Sequence, residues 1–96
     1  MARVELSAVA VEDLDRLILT HSLSIDTRPR LRRSLRVLEA FPLIGRELTG
    51  RWGGMRFVLG PWRWLLVVYR YEAAEDLVIV LTIQDARSSA SATSVT

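Results

Sequence analysis

The sequence predicts an α+β domain in which two N-terminal helices pack on one face of a small, mostly antiparallel, four-stranded sheet. Two segments with apolar residues at helical spacing follow one short alternating segment. Three segments rich in β-branched and aromatic residues come next, joined by short turns. Half of the 96 residues are hydrophobic, which suffices for one core but not for two domains. The predicted element order is therefore β-α-α-β-β-β.

The first two elements are a short strand and an amphipathic helix. Val4 and Leu6 alternate with charged residues, and Ser7 then stands at the N-cap position of a helix. From Ala8 to about His21, apolar residues recur at helical spacing. The two-helix excursion that follows leaves open whether the first strand lies at an edge or in the middle of the sheet.

A second helix is expected from Asp26 or Thr27, because either residue can cap it and a proline fits its first turn. Leucines line one side of this helix, whereas Arg28, Arg32 and Arg36 recur every four residues on another. The basic side is either a solvated face or a surface for an acidic partner, and we assign Arg32 and Arg36 to partner binding.

Two regions bracket the later strands. The Phe41-Pro42 pair ends the second helix, and a glycine-rich connection over residues 46–54 carries Arg46 and Arg51 to a surface. Residues 88–96 are rich in Ser, Ala and Thr without a pattern, which predicts a disordered tail and one folded domain over residues 1–87.

Two long strands form the predicted centre of the sheet. One runs from Trp62, after a turn at Gly60-Pro61, to Tyr71, and the other runs from Leu77 to Ile83. Alternation places apolar residues on both faces of the first of these strands, with Trp64 on the face that the helices leave uncovered. Such a face predicts a protein partner, to which we assign Trp64, or a homodimer.

Composition excludes several kinds of site. There is no cysteine and one histidine, so neither disulfides nor zinc is expected, and no metal or other cofactor is predicted. No secretory signal and no membrane span are recognisable, so we expect a cytoplasmic protein without membrane contact. All 13 basic residues are arginine, which suits nucleic acid or an acidic protein as partner, and which arginine-rich codon usage would also produce.

Motifs that carry a family resemblance extend from residue 3 to residue 87. They are Val4-Glu5-Leu6-Ser7, Ala10, Asp13-Leu14, Leu35, Leu38, the run from Phe41 to Leu48, Gly54-Met55-Arg56, Gly60-Pro61-Trp62-Arg63, the strand Val78–Ile83 and Arg87. In this order they resemble the RelE/ParE superfamily, the toxins of bacterial type II toxin–antitoxin systems.

The resemblance implies a small cytoplasmic toxin that a cognate antitoxin neutralises, alone or in a toxin–antitoxin hetero-oligomer. RelE-like members cleave messenger RNA on the ribosome, whereas ParE-like members inhibit DNA gyrase. We favour the RelE-like mRNA interferase because basic residues are kept at positions 56, 63 and 87. A gyrase inhibitor and a non-toxic antitoxin-binding module on the same fold are the alternatives.

The resemblance also implies the site residues. Cleavage by the adjacent 2′-hydroxyl needs cations over the phosphate, which Arg56, Arg63 and Arg87 would supply if three strands bring them together. Arg46 and Arg51 would bind RNA. For Arg63, a structural ion pair with Asp85 is the competing interpretation.

Proton transfer is where the sequence departs from the family. Nuclease members often carry a tyrosine or histidine near the C-terminus, but Asp85 stands two residues before Arg87 and no aromatic residue follows. Asp85, Glu47 or Tyr71 are the candidate substitutes. Arg70 is expected at the end of the hairpin, paired with Glu72 or Glu75.

Overall fold

The framework of the molecule is a five-stranded mixed sheet with helices on one face, in a computed structural model that describes residues 1–94. The elements are β1 (Arg3–Leu6), α1 (Ala8–Thr20), α2 (Thr27–Ser34), the single-turn α3 (Val37–Ala40), β2 (Arg46–Glu47), β3 (Arg56–Leu59), β4 (Leu65–Glu72) and β5 (Leu77–Asp85). The α+β class is as predicted, but the number of strands is not.

The strand order is β1-β5-β4-β3-β2, which places β1 at one edge of the sheet. β1 pairs in parallel with β5, and all other neighbours are antiparallel. The prediction of four strands missed β2, where Arg46 and Glu47 pair with Phe57 and Arg56. A strand of two exposed residues has no measurable alternation, so only its pairing reveals it.

The predicted second helix is interrupted after Ser34. The Ser34 hydroxyl donates a hydrogen bond to the Leu31 carbonyl, and the Arg36 and Leu38 amides bond three residues back rather than four. Side-chain hydrogen bonds of this kind compete with the helical backbone bonds, and the chain tightens into a turn before α3. Phe41 ends α3, as predicted.

The helices cover one face of the sheet. Ser7 caps α1 by accepting from the Ala10 amide, and Asp13 of α1 accepts hydrogen bonds from the Thr82 hydroxyl and the Ile83 amide of β5. These bonds fix α1 along β5. The core between helices and sheet consists of Ala2, Ala10, Leu14, Leu31, Leu35, Leu38, Leu65, Val67, Tyr69, Val78, Val80 and Ile83.

The second face of the sheet is covered by the chain itself, contrary to the sequence-based expectation of an open apolar face. Leu66 and Val68 of β4 are fully buried. The residues packed over them come from β3, the β2–β3 connection and the end of the chain: Leu48, Trp52, Met55, Phe57, Ala86 and Ala92. A glycine-rich loop shows no apolar periodicity, so the sequence did not predict that this loop would cover the second face of the sheet.

The C-terminal segment also differs from the expected disordered tail. Residues 88–94 form turns against the sheet, where the Ala92 amide donates to Gln84 Oε1 at 2.8 Å and Ser91 is only 7% exposed. Side-chain packing, rather than a local pattern, positions this segment. The part of the tail prediction that concerns Val95 and Thr96 lies outside the described residues.

The turn between β3 and β4 is longer than predicted, and β4 begins at Leu65 rather than Trp62. The Gly60 amide donates to the Leu65 carbonyl, and the Leu65 amide donates to the Trp62 carbonyl. Because Trp62 and Trp64 lie in this turn, strand alternation does not apply to them, and both pack against the helix-side core. Over residues 1–94, the helices are too short and too polar to cross a membrane.

Candidate functional site

Polar and aromatic side chains gather at the end of the sheet where β4 begins and β5 ends. Leu65 pairs with Asp85 there, Arg87 follows β5, and the end of α1 brings His21 alongside. We call Thr20, His21, Trp64, Asp85 and Arg87 the His21–Asp85 site. It is built from three segments that are far apart in the sequence.

Asp85 is the centre of this site. Its Oδ1 accepts hydrogen bonds from the Arg87 backbone amide and Nε, both at 2.9 Å, and its Oδ2 accepts one from Arg87 Nη2, also at 2.9 Å. The bonds from Arg87, aided by His21, hold the pKa of the Asp85 carboxyl well below its usual range, although partial burial opposes this. Asp85 is therefore ionised near neutral pH and is a weak base, which suits it poorly to the predicted proton transfer.

His21 lies between Asp85 and a hydroxyl. Its Nε2 is 3.1 Å from Asp85 Oδ2, and its Nδ1 is 2.9 Å from Thr20 Oγ1. An ionised carboxylate only accepts hydrogen bonds, so Nε2 carries a proton. In the neutral ring, Nδ1 is consequently the basic atom, and it accepts from the Thr20 hydroxyl.

Aromatic stacking fixes the imidazole in place. The His21 ring stacks on Trp64 with centroids 4.9 Å apart and planes 8° apart, and Arg87 Cζ lies 5.0 Å from the Trp64 centroid. Trp62 stacks on Trp64 at 5.8 Å, and Arg30 lies 5.0 Å over Trp62. Trp64, predicted as a partner contact, is therefore already engaged within the chain.

Arg63 lies in the β3–β4 turn, next to Trp64 in the chain and at the same end of the sheet as Arg87. Its side chain is exposed, and among residues 1–94 it makes no hydrogen bond or ion pair. The ion pair with Asp85 that sequence reasoning considered goes to Arg87 instead. Arg63 is thus available to a ligand.

Arg56 does not join this site. It pairs with Tyr69, four residues along β4 from Leu65, so about 14 Å of strand separate it from the Asp85 end. Its guanidinium is occupied by the Leu43 carbonyl at 3.2 Å, the Gly45 carbonyl at 2.9 Å and Glu47 Oε1 at 3.0 Å. The predicted convergence of three arginines is therefore reduced to Arg63 and Arg87.

The remaining candidates for proton transfer are also engaged elsewhere. The Tyr71 hydroxyl donates to Asp76 Oδ1 at 2.7 Å, and this hydrogen bond raises the pKa of Tyr71. Glu47 pairs with Arg56. Arg70 pairs with Glu72 at 2.5 Å, which confirms the hairpin-end ion pair expected from the sequence.

The predicted RNA-binding arginines lie apart from the His21–Asp85 site. Arg46 is on β2, three strands away from β5, and Arg51 lies over Trp52 at 5.5 Å on the loop that covers the second face. Both side chains are exposed. Their role in RNA binding stays a prediction.

A second surface feature is an apolar groove between α1, α2 and the edge strand β1. It encloses about 490 Å³. Val4, Leu6, Val11, Leu14, Leu31 and Leu35 form its floor and walls, with Arg28, Arg32 and Glu39 at its rim. Arg28 is paired with Asp15, whereas Arg32 and Arg36 are exposed and make no ion pair among the described residues.

Sequence reasoning did not predict the contact of His21 with Asp85. The signal available was only that the single histidine ends α1. Its partner Asp85 is 64 positions away, and their contact depends on the bonds between Asp13 and β5. Among residues 1–94, no group of three or more histidine and carboxylate side chains is arranged to hold a metal ion.

Solved structures share this architecture. A chain of the chromosomal ParDE toxin–antitoxin system from P. aeruginosa superimposes with a TM-score of 0.68 at 14% identity, over 91% of this chain and 98% of that one. A chain of the E. coli RelBE toxin–antitoxin complex superimposes with a TM-score of 0.64 at 14% identity, over 92% of this chain and 100% of that one. A chain of the RelBE2 complex from Mycobacterium tuberculosis superimposes with a TM-score of 0.60 at 20% identity, over 88% of this chain and 96% of that one.

No protein-family model matches the sequence, and no curated protein is significantly similar to it. Identities of 14–20% establish the fold and leave the activity to the site. The chain thus has the fold of the RelE/ParE superfamily of toxins, as the sequence motifs predicted.

Proposed function

We propose that this chain, which has the fold of RelE- and ParE-type toxins, is the toxin of a type II toxin–antitoxin system and cleaves messenger RNA on the ribosome. The observation that carries the nuclease proposal is that Arg63 and Arg87 lie at the same end of the sheet, where Arg87 contacts a stack of tryptophans. Fold similarity to both RelE- and ParE-type structures supports the toxin class and is neutral between the two branches.

Two guanidinium groups at one surface suit a phosphodiester. In cleavage by the neighbouring 2′-hydroxyl, negative charge accumulates on the non-bridging oxygens of the phosphate, and fixed cations stabilise that charge. The guanidinium of Arg63 makes no hydrogen bond among residues 1–94, so all of its N–H donors can contact a phosphate. Arg87 spends two of its five N–H donors on Asp85, and the other three can contact a phosphate.

The partner we propose is an antitoxin with an acidic and apolar segment. The groove between α1, α2 and β1 offers apolar walls, and the exposed Arg32, which lines it, supplies positive charge; exposed Arg36 follows four residues later in the chain. A segment of an antitoxin with leucine-like side chains and nearby carboxylates would match both properties. Two of the similar structures are toxin–antitoxin complexes, which supports a partner of this class.

Inhibition of DNA gyrase is the second candidate. It is favoured by the engagement of Arg56 with the backbone and by the ion pair between Arg87 and Asp85, which reduces the charge available to a phosphate. Under this alternative, Arg63 would contact a protein rather than RNA.

Induction of the chain in growing cells separates the two candidates. We expect leucine incorporation to stop quickly while thymidine incorporation continues, and purified ribosomes carrying an mRNA to yield a cut in the A-site codon. Arg63→Ala should lower the cleavage rate about 100-fold, because one fixed charge on a transition state contributes on that scale. Arg70→Ala, which removes an arginine at the other end of β4, is the matched control.

Loss of DNA synthesis with continuing translation would contradict the nuclease proposal and support the gyrase alternative. Harmless expression, combined with tight binding of an acidic antitoxin, would support a non-toxic binding module.

A further inference from the structure

We propose that His21 is the proton acceptor of the cleavage reaction, with Nδ1 as the accepting atom and Asp85 as the residue that positions the ring. This inference rests on the proposed nuclease function and deepens it. It assigns the proton-transfer role to the end of α1 rather than to the C-terminal region of the chain, where the family resemblance places it.

The tautomer is the first argument. Asp85 is held in its ionised form by Arg87, and it accepts a hydrogen bond from Nε2 of His21 at 3.1 Å. The basic lone pair of the neutral ring is therefore on Nδ1, directed away from the carboxylate. A carboxylate that orients an imidazole in this way also stabilises the imidazolium that forms when Nδ1 takes up a proton.

Access is the second argument. Nδ1 already accepts a hydrogen bond from a hydroxyl, that of Thr20, at 2.9 Å. Thr20 is exposed at the end of the helix, and the His21 side chain is 28% exposed. A ribose 2′-hydroxyl that displaces the Thr20 hydroxyl would meet the same atom within hydrogen-bond distance, the requirement for a general base.

Rigidity is the third argument. The ring is stacked on Trp64 and bonded at both nitrogens, so it does not need to be ordered when substrate binds. Arg87 contacts the same tryptophan and the same carboxylate. The proposed base and one proposed phosphate ligand are thus held in a fixed relation.

The reaction balances with these groups alone. The 2′-hydroxyl proton passes to His21 Nδ1, a bond forms between the 2′-oxygen and phosphorus, and the bond from phosphorus to the 5′-oxygen breaks. The departing 5′-oxygen takes a proton from water, and the imidazolium later returns its proton to solvent. The products are a 2′,3′-cyclic phosphate and a 5′-hydroxyl end.

The other charged groups around the ring are few. Asp85 and Arg87 face it from the end of β5, Asp13 and Arg16 line a neighbouring cavity with Asp85, and Arg30 lies at the far end of the tryptophan stack. Asp13 is bonded to β5, so Asp85 is the carboxylate in contact with the imidazole.

The test compares His21→Gln with the wild type in single-turnover cleavage of ribosome-bound mRNA. Glutamine can still donate to Asp85 but is not a base, so we expect a loss of about 100-fold or more and the disappearance of the acid limb from the pH–rate profile. Leu19→Gln, on the exposed side of the same helix, is the matched control and should match the wild type. Binding of an mRNA with a 2′-O-methyl group at the scissile position should be unchanged in His21→Gln.

Three outcomes would overturn the assignment. If His21→Gln cleaves at the wild-type rate with the same pH profile, His21 is structural while the nuclease function stands. If the wild type itself does not cut RNA, the proposed function fails and this inference fails with it. Should His21→Gln not fold, a wild-type rate that is constant between about pH 5 and 8 would still refute an imidazole base.

Discussion

At the scale of single residues, identical arginines differ in what their guanidinium groups contact. Arg56 is 24% exposed and holds two backbone carbonyls of the 43–45 segment, whereas Arg63 is exposed and unpaired among residues 1–94. Both were predicted as catalytic from the same motif-level resemblance. These contacts give Arg56 a structural role and leave the guanidinium of Arg63 free among the described residues.

Substitution of Arg56 should therefore lower the stability of the fold, whereas substitution of Arg63 should lower toxicity. Arg56→Ala leaves the Gly45 carbonyl without its donor and should lower the free energy of unfolding by about 1–3 kcal/mol. Arg63→Ala should change it by less than about 0.5 kcal/mol while it abolishes toxicity. Urea unfolding and growth after induction measure the two effects, and a stable, non-toxic Arg56→Ala would contradict the assignment.

Gly45 is bonded to the sheet through its amide as well as through the carbonyl that Arg56 contacts. Its amide donates to the buried Tyr69 hydroxyl at 2.9 Å, and burial raises the pKa of that hydroxyl. A Cβ at position 45 would lie 2.6 Å from this oxygen and 2.7 Å from the Phe57 carbonyl. There is no space for any side chain.

Gly45→Ala should consequently cost about 3 kcal/mol, because it forces the loop off Tyr69 and overpacks the site. Gly50→Ala is the control for backbone strain alone. Gly50 has φ +64°, and a Cβ added there would meet no atom within 4 Å, so a loss of about 1 kcal/mol is expected. Thermal melting compares the two variants, and equal losses of stability would argue against a steric clash at position 45.

At the scale of elements, the junction between α1 and β5 determines the site. Asp13 anchors the middle of α1 to β5, and His21 bonds to Asp85 at its end. The turn before β4 adds Trp64 to the same junction. Three elements thus have to dock before the site exists.

The pH dependence of stability should report this junction. The pKa of Asp85 is lowered in the folded chain, so its ionised form stabilises the fold above the usual carboxyl pKa of about 3.9, and this contribution is lost as the pH falls below that value. Asp85→Asn should melt below the wild type at pH 7, and the gap should narrow below about pH 4. Glu12→Gln, on an exposed part of α1, is the control. A gap that does not change with pH would contradict this account.

At the scale of the whole molecule, the two faces of the sheet are covered by different means. Helices cover one face, and the β2–β3 loop with residues 86–92 covers the other. Among residues 1–94, open apolar surface lies in the groove beside β1 and around Phe41, Leu43 and Ile44, rather than over Leu66 and Val68.

Removal of residues 88–96 should uncover Leu66 and Val68 in part and leave Gln84 without the Ala92 amide. We expect a loss of about 1–3 kcal/mol in urea unfolding. A chain that ends at Ser94 keeps these contacts and is the control. Equal stability of the two truncated chains would mean that the segment contributes nothing to the fold.

The groove makes a prediction about partner binding. Val11 lines it and is 44% exposed, whereas Val9, 55% exposed on the same helix, does not line it. Val11→Asp should weaken antitoxin binding at least tenfold, about 1.4 kcal/mol, without loss of stability, and Val9→Asp should not. Titration calorimetry with the proposed acidic antitoxin measures the difference, and equal affinities of the two variants would exclude the groove as the binding site.

The sequence by itself determined the elements whose signals are local. The Ser7 cap, α1, the end of the second helical region before Pro42 and the strands β4 and β5 follow from residues within a few positions of one another. The order of these elements, with the motifs along them, also sufficed to predict the toxin fold. These features depend on spacing that a linear chain displays.

Only the tertiary structure decided which side chains meet. It separated Arg56 from Arg63 by the register of β3 and β4, added β2, and covered the second face with a loop that has no periodicity. It also joined His21 to Asp85 across 64 positions. Such contacts depend on strand register and on the docking of α1 against β5, because packing energy is shared among residues that are distant in the chain.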